Sequence, residues 1–455
     1  MKSYPFFRIR TLVAGALLLA LAVLLAAQTA VPDDRYRLSR VPDRIILTWS
    51  GDPASTQAVT WRTDASVHSA VAQIALADAH PDIESAARTI QARTTLLDVE
   101  DVGLTHRHSV GFTGLAPSTL YAYRVGDGEQ WSEWFHFSTA SREPEPFSFI
   151  YFGDAQNDIR SKWSRAIRAA YSDAPKASFM IHAGDLVNRA NRDVEWGEWF
   201  EAGGWLNGMI PSIPAAGNHE YWNDERNGNA RRLSTQWRPQ FTLPNHGPEG
   251  LEETVYYIDY QGARIIVLNS MEAVGMGRAE DQARWLEGVL RDNPNRWTIV
   301  TFHHPVFSVA RGRDNPALRE HWQPLFERYG VDLVLQGHDH TYGRGTNLMQ
   351  GTTVRDGEAG PMYVVSVSGP KMYRIDAGAE WMDRLAEDTQ LYQIIHVEHD
   401  KLLFEARTVT GELYDGFELV KLENRRNRLV DQMAGTPERR QNLPAAAAPA
   451  ASETP

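Results

Sequence analysis

Five short motifs, met in chain order, carry the residue types that can do chemistry. They are Gly153-Asp154-Ala155-Gln156, Gly184-Asp185-Leu186-Val187-Asn188, Gly217-Asn218-His219-Glu220, His303-His304-Pro305 and Gly337-His338-Asp339-His340. Asp154 and Asp185 are anionic oxygen donors, Asn218 offers a carbonyl oxygen, and His303, His338 and His340 offer neutral imidazoles. Mixed nitrogen and oxygen sets suit Mn²⁺, Fe²⁺, Zn²⁺ and similar ions. One carboxylate can bridge two such ions, and solvent held between them loses a proton because both draw on its electrons. Two ions about 3.5–4 Å apart, bridged by hydroxide, attack a phosphate ester in line with its leaving group. An isolated Asp after a strand is usually a helix N-cap. Three histidine motifs in register with both aspartates argue against that reading here. His338 and His340 alternate, so they share a site only if the chain turns between them, which Gly337 permits.

The elements around the motifs must bring them together. From Phe147 onward the pattern alternates strands with helices. Phe149-Ile150-Tyr151-Phe152, Phe179-Met180-Ile181, Ile265-Ile266-Val267-Leu268, Thr298-Ile299-Val300 and Leu333-Val334-Leu335 read as buried strands. The spacing predicts helices over 163–171, 279–291 and 317–329. The stretch from Asp154 to Asp185 is long enough for the helical crossover that parallel strands require. Asp154, Asp185, Asn218, His303 and His338 then stand just past strand C-termini, where α/β sheets place ligands. Residues 224–250, rich in Asn, Gly, Arg and Pro, read as a long loop and a candidate lid.

Residues 40–140 are different. Ile45-Ile46-Leu47-Thr48-Trp49, Ala58-Val59-Thr60-Trp61-Arg62 and Tyr121-Ala122-Tyr123-Arg124-Val125 are short β-branched or aromatic runs separated by turn residues, which suggests an all-β sandwich. His68, His80, His106 and His108 fall in it and read as a solvated strand face. Trp196, Trp199, Phe200 and Trp205 read as the core stripe of a helix, and His182 as a packed core histidine.

With 455 residues, two domains are expected. There is no cysteine, which excludes disulfides, zinc–thiolate sites and thiol nucleophiles. The net charge of −12 comes with no basic block, so no nucleic-acid-binding surface is evident. Lys2, Arg8 and Arg10 precede an apolar run from Leu12 to Ala27, the pattern of an export signal. Two readings stay open: residues 1–30 are a cleaved signal peptide, or residues 11–27 remain as a membrane anchor. Either places the folded body outside the cytoplasm, periplasmic or secreted. Residues 423–455, charged and then Ala/Pro-rich, are expected to be disordered.

The five motifs in this order resemble the metallophosphoesterase superfamily, and more closely its purple acid phosphatase-like branch. Leu115-Ala116-Pro117-Ser118-Thr119-Leu120-Tyr121 and Trp131-Ser132 look like the end of a fibronectin type III module. The resemblance implies a two-sheet α/β (α+β) calcineurin-like domain over 145–422, flanked by helices and preceded by the sandwich. It implies that Asp185 bridges two metals, that Asp154 and His340 hold one, and that Asn218, His303 and His338 hold the other. His219 would sit beside the phosphate, stabilising the transition state or protonating the leaving group. Two positions depart from the pattern. Asn188 stands where purple acid phosphatases carry the tyrosine that binds ferric iron, so a divalent pair and a colourless protein are expected. Gln156 stands where the wider superfamily has histidine, which favours Mn²⁺ or Fe²⁺ over Zn²⁺ in that site.

Gln156, Asn188 and Glu220 are thus candidates for a metal ligand or its supporting residue. His304, Tyr342 and Arg344 are candidates for substrate contact. The expected function is hydrolysis of a small phosphorylated substrate, a phosphomonoester, by two divalent ions. The alternatives are a phosphodiesterase or nucleotide hydrolase on the same site, and a non-catalytic cell-surface binding protein. Oligomeric state is not encoded in any of these features.

Overall fold

The computed structural model describes residues 36–346, 358–376, 382–423, 426–433 and 435–440. Residues 1–30, the signal or anchor segment, lie outside the described residues. Among the described residues no helix is long and apolar enough to cross a membrane.

Two four-stranded antiparallel sheets form the sandwich. One runs Asp43–Thr48, Thr56–Asp64, Gly103–Thr113, Arg93–Val99 in spatial order; the other Arg88–Gln91, Val71–Leu76, Leu120–Gly126, Phe135–Ser138. Val59, Trp61, Val110 and Phe112 from the first meet Ile74, Tyr123 and Phe137 from the second. The Tyr121 hydroxyl accepts the Ala116 N–H at 2.9 Å, the tyrosine corner of such sandwiches. His106 and His108 are not solvated as expected. Both are buried: His106 bonds the Val67 carbonyl, and His108 lies between the Thr63 and Thr94 hydroxyls.

The second domain packs an eight-stranded sheet on a seven-stranded one. In the first, Phe147–Phe152, Met180–His182 and Ser212–Pro214 are parallel. In the second, Ala263–Val267, Trp297–Thr301, Leu333–Gln336 and Met362–Val365 are parallel. These strands are buried on both faces, which is why they read as continuous apolar runs. Tyr151 joins the two sheets by donating to the Gln336 carbonyl, as Gln393 does to the Ser366 hydroxyl.

The helices follow the apolar spacing, with two adjustments. A π-turn, Ile159–Trp163, leads into Ser164–Asp173, burying Trp163, Ile167 and Ala170. The stretch expected as one helix over 317–329 is two, Pro316–His321 and Gln323–Tyr329. Pro324 lacks the N–H needed to continue the first. Ala279–Arg291 is continuous. Trp196, Trp199 and Phe200 are core residues, whereas Trp205 is half exposed.

Two further expectations are corrected. Residues 224–250 are not a free lid. Tyr221–Asp224 pairs with Ala230–Leu233, and Trp237, Phe241 and Leu243 are buried in the main core. The expected disordered tail begins too early at 423. Strand Asn427–Asp431 pairs antiparallel with Leu413–Lys421, and Asn427 is buried against Asp332. On its other side this strand pairs with Glu358–Ala359, and its buried Asn427 side chain has the hydrogen bond that a buried polar group needs. Residues 441–455 lie outside the described residues.

Candidate metal centre

All five motifs stand at the C-terminal ends of parallel strands. Asp154 follows Phe147–Phe152, Asp185 follows Met180–His182, Asn218 follows Ser212–Pro214, His303 follows Trp297–Thr301 and His338 follows Leu333–Gln336. The backbone there is sharply turned. Asp154, Asp185, His338 and His340 all have positive φ, a conformation that costs a non-glycine residue about 1–3 kcal/mol and clusters at functional sites. The turn at Gly337 brings His338 and His340 to one site despite their alternation. Gly217 is required by close approach: a Cβ there would lie 2.2 Å from the Asp185 carboxylate.

Two ligand groups result, and they share Asp185. Asp185, His303 and His338 place ligand atoms within 4.8 Å of one another, as do Asp154, Asp185 and His340. His303 Nε2 is 3.1 Å from Asp185 Oδ2, 3.1 Å from Asn218 Oδ1 and 3.1 Å from His338 Nδ1. His340 Nε2 is 3.5 Å from Asp154 Oδ1. The opposite ring atoms are fixed: His303 Nδ1 donates to the Ala183 carbonyl and His340 Nδ1 to the Lys371 carbonyl. Such bonds set the tautomer that leaves Nε2 free for a cation.

The donor set fits metal ions. Asp154 Oδ1 and Gln156 Oε1 are buried with no hydrogen-bond partner among the described residues, and buried polar atoms of this kind need one. Burial alone raises the Asp154 carboxyl well above its usual range, with His303 opposing and Asp185 adding to the rise. Burial would also raise Asp185, but His303 and His219 hold it below the usual carboxylate range. Burial would lower His303, yet Asp185 and Asp154 raise it to about 9. His338, partly buried beside His304 and His303, is driven strongly down by desolvation, and buried His340 falls to about 3. One proton on His303 therefore stands where a cation would serve both carboxylates better.

Gln156 lies inside the first group. Its Nε2 donates to Asp185 Oδ2 at 3.0 Å and is 3.0 Å from His340 Nε2. Only Oε1 can ligate, so the amide must turn over to do so. His219 donates Nδ1–H to the Asn188 carbonyl at 2.6 Å, and its Nε2 lies 3.8 Å from Asp185 Oδ2. Asn188 thus serves through its backbone. His304 bonds Ser270 and packs against His338, ring centroids 4.1 Å apart and planes tilted by 43°.

Glu220 is a supporting residue, though of Asp185 and not of a histidine: it is fully buried and accepts the N–H groups of Asp185, Leu186 and Gly217. Two candidates have other work. Tyr342 and Arg344 do not face substrate. Their strand turns them inward, where both bond Asp415, Arg344 with two hydrogen bonds. Residues not singled out in the sequence stand nearer. Arg313 donates to the His338 carbonyl, Arg231 donates to the Asn218 carbonyl, and Tyr373 packs on His340 with Lys371 over its outer side. They lie outside the five motifs, so no spacing signal marks them.

Residues 42–139 match the family model of the purple acid phosphatase N-terminal domain, and residues 147–342 match that of the calcineurin-like phosphoesterases. The chain belongs to the purple acid phosphatase-like metallophosphoesterases. Human acid phosphatase type 7 is 27% identical over 335 residues, covering 67% of this chain and 71% of its own length. Purple acid phosphatase 13 of Arabidopsis thaliana is 24% identical over 306 residues, 58% of this chain and 54% of its own. An uncharacterized Mycobacterium tuberculosis protein is 27% identical over 281 residues, 54% of this chain and 52% of its own. The chain thus spans about half the length of several curated relatives it matches. Among solved structures, purple acid phosphatase PPD1 from yellow lupin (Lupinus luteus) superposes with a TM-score of 0.71 at 18% identity, covering 85% of this chain and 75% of that one. PhoD gives 0.65 at 13% identity, with 90% and 96% covered. These two likenesses show that the chain shares the fold of those structures.

Proposed function

We propose that this chain hydrolyses phosphate monoesters with two divalent ions, outside the cytoplasm. The observation that carries the reading is Asp185, whose carboxylate belongs to both ligand groups. Asp154, His340 and, with its amide turned, Gln156 would hold one ion; Asn218, His303 and His338 would hold the other. When bound, the pair supplies Lewis acidity that activates water and neutralises phosphoryl oxygens. The His219 side chain is 27% exposed. With Nδ1–H committed to Asn188, its Nε2, 3.8 Å from Asp185 Oδ2, is the atom that would donate a proton to the leaving oxygen.

The monoester preference rests on charge. A monoester carries one more negative charge than a diester, and Arg231, Arg313 and Lys371 stand around the ligand histidines. Arg231 is exposed and pairs with no carboxylate among the described residues. The names of the acid phosphatase relatives point the same way. The location rests on Lys2, Arg8, Arg10 and the apolar run from Leu12 to Ala27.

The test loads the protein with Mn²⁺, Fe²⁺ or Zn²⁺ and compares p-nitrophenyl phosphate with bis-p-nitrophenyl phosphate. Higher kcat/KM for the first supports the reading, and preference for the second makes the chain a diesterase. Less than one ion per chain and no turnover supports a binding protein. Sequencing the mature N-terminus decides between cleavage and anchoring.

A further inference from the structure

Three arginines are buried where the sandwich meets the phosphoesterase domain. Arg44, Arg62 and Arg107 have side chains 4%, 1% and 2% exposed, and all approach Asp193, itself 1% exposed. The sandwich is shaped for this. Arg62 and Arg107 face each other across paired strands. The register of Asp43–Thr48 shifts between Asp43 and Ile46, and Arg44 has φ +52°, so that consecutive residues Asp43 and Arg44 both serve the cluster.

The shares are unequal. Arg44 donates to both Asp193 oxygens at 2.7 and 2.6 Å. Arg62 bonds Asp193 at 2.7 Å and Asp43 at 2.8 Å. Arg107 receives no carboxylate hydrogen bond. Its nearest carboxylate oxygen, on Asp193, is 3.8 Å away, and Nη2 has only the neutral Gln236 amide at 3.3 Å. Its Nε and Nη1, with Arg44 Nε, are buried without partners among the described residues. Asp101 is exposed and spends both oxygens on the Asp193 backbone N–H.

A guanidinium keeps its proton in proteins, so its charge must be met where it lies. Among the described residues three guanidiniums meet two carboxylates within 4 Å, Asp193 and Asp43, an excess of one positive charge, and the Arg107 Nε and Nη1 donors have no acceptor. An unpaired buried charge is costly. We propose that a small monovalent inorganic anion of the halide class binds at Arg107, between the sandwich and the phosphoesterase domain. One negative charge balances the excess, and a monatomic anion accepts hydrogen bonds from any direction. It would fasten the sandwich to the loop after Asn188, whose carbonyl holds His219.

The test measures thermal unfolding of the full chain in sodium chloride and in sodium gluconate at equal ionic strength. Chloride should raise the wild-type Tm saturably, by about 2–6 °C. Arg107→Met should lose that response and be at least as stable as wild type in gluconate, since it removes the uncompensated cation. A bromide-soaked crystal of the wild type should show an anomalous peak at the Arg107 guanidinium. An equal chloride response in Arg107→Met, or an ordered water at Arg107 with no bromide, overturns the proposal.

Discussion

Glu220 accepts the Asp185 backbone N–H at 2.8 Å through Oε2, and so holds the residue shared by both ligand groups from beneath. The same oxygen takes the Gly217 N–H and Oε1 takes that of Leu186. One buried carboxylate therefore ties the second motif to the third. Burial and the nearby Asp185 charge raise it to about 7.

Glu220→Ala should leave these three N–H groups without acceptors. Each buried orphan costs about 1–3 kcal/mol, and outer partners of ligands typically govern about 10–100-fold in metal affinity. The expected result is a marked fall in Tm and weaker metal retention on dialysis, with Glu220→Gln intermediate. Unchanged metal content in the alanine variant would mean that Asp185 holds its place unaided.

Asp185→Asn and His219→Ala separate holding the metals from using them. Asp185→Asn removes the charge common to both groups, so turnover should fall by about 10³-fold or more and metal content should fall below two ions per chain. His219→Ala should lower kcat by about 10²–10⁴-fold while both ions stay bound. Elemental analysis beside kcat reads both outcomes. Full activity in Asp185→Asn would overturn the shared-ligand reading.

The sequence motifs made the strand ends legible because each ligand sits within a few residues of a buried apolar run, and chain order alone fixes such local features. What lay on opposite sides of a strand was not legible. Tyr342 and Arg344 follow His340 closely, yet strand alternation and the buried Asp415, distant in sequence, pull them away from the opening. His106 and His108 depart from the expectation for the same reason, since their partners, the Val67 carbonyl for one and the Thr63 and Thr94 hydroxyls for the other, come from elsewhere in the sandwich. Arg231, from strand Ala230–Leu233, and Arg313 and Lys371, from loops, reach the ligand residues Asn218, His338 and His340. Their placement depends on backbone paths that no periodicity records.

Arg344 and Asp415 allow a direct check of that correction. Both are at most 1% exposed in their side chains, and they form two hydrogen bonds of 2.8 and 3.0 Å. Breaking a buried pair from one side costs about 3–5 kcal/mol. Asp415→Ala should lower stability by that order, while KM for p-nitrophenyl phosphate in the folded fraction changes little. A selective rise in KM without loss of stability would return Arg344 to the substrate.

The metals' colour gives another check. Asn188 offers no phenolate, and its carbonyl is already engaged by His219. Protein reconstituted with iron and oxidised in air should show no phenolate-to-iron absorption band in the visible. A purple preparation would mean that another tyrosine reaches the metals, and Tyr373, packed on His340 with ring centroids 4.7 Å apart, would be the first to replace.

His182 sets an acid limit on the fold. It is 2% exposed, ringed by Phe152, Trp163 and Trp199, and neither ring nitrogen has a partner among the described residues. Burial lowers its pKa to about 3. In the unfolded chain it protonates near the ordinary value of about 6.5. The folded pKa is the lower one, so the unfolded state binds more protons between these values. Stability is fully present above about pH 6.5 and is lost as pH falls toward 3, by about 1.4 kcal/mol per pH unit. His108, lowered to about 4 chiefly by burial, adds a loss of the same sign in the upper part of that window. His182→Phe keeps the aromatic packing and removes one titration. Its denaturant midpoint should therefore fall less steeply than that of the wild type between pH 6 and 4, with the His108 share remaining. Parallel slopes for the two proteins would show that His182 is solvated or charged in the folded state.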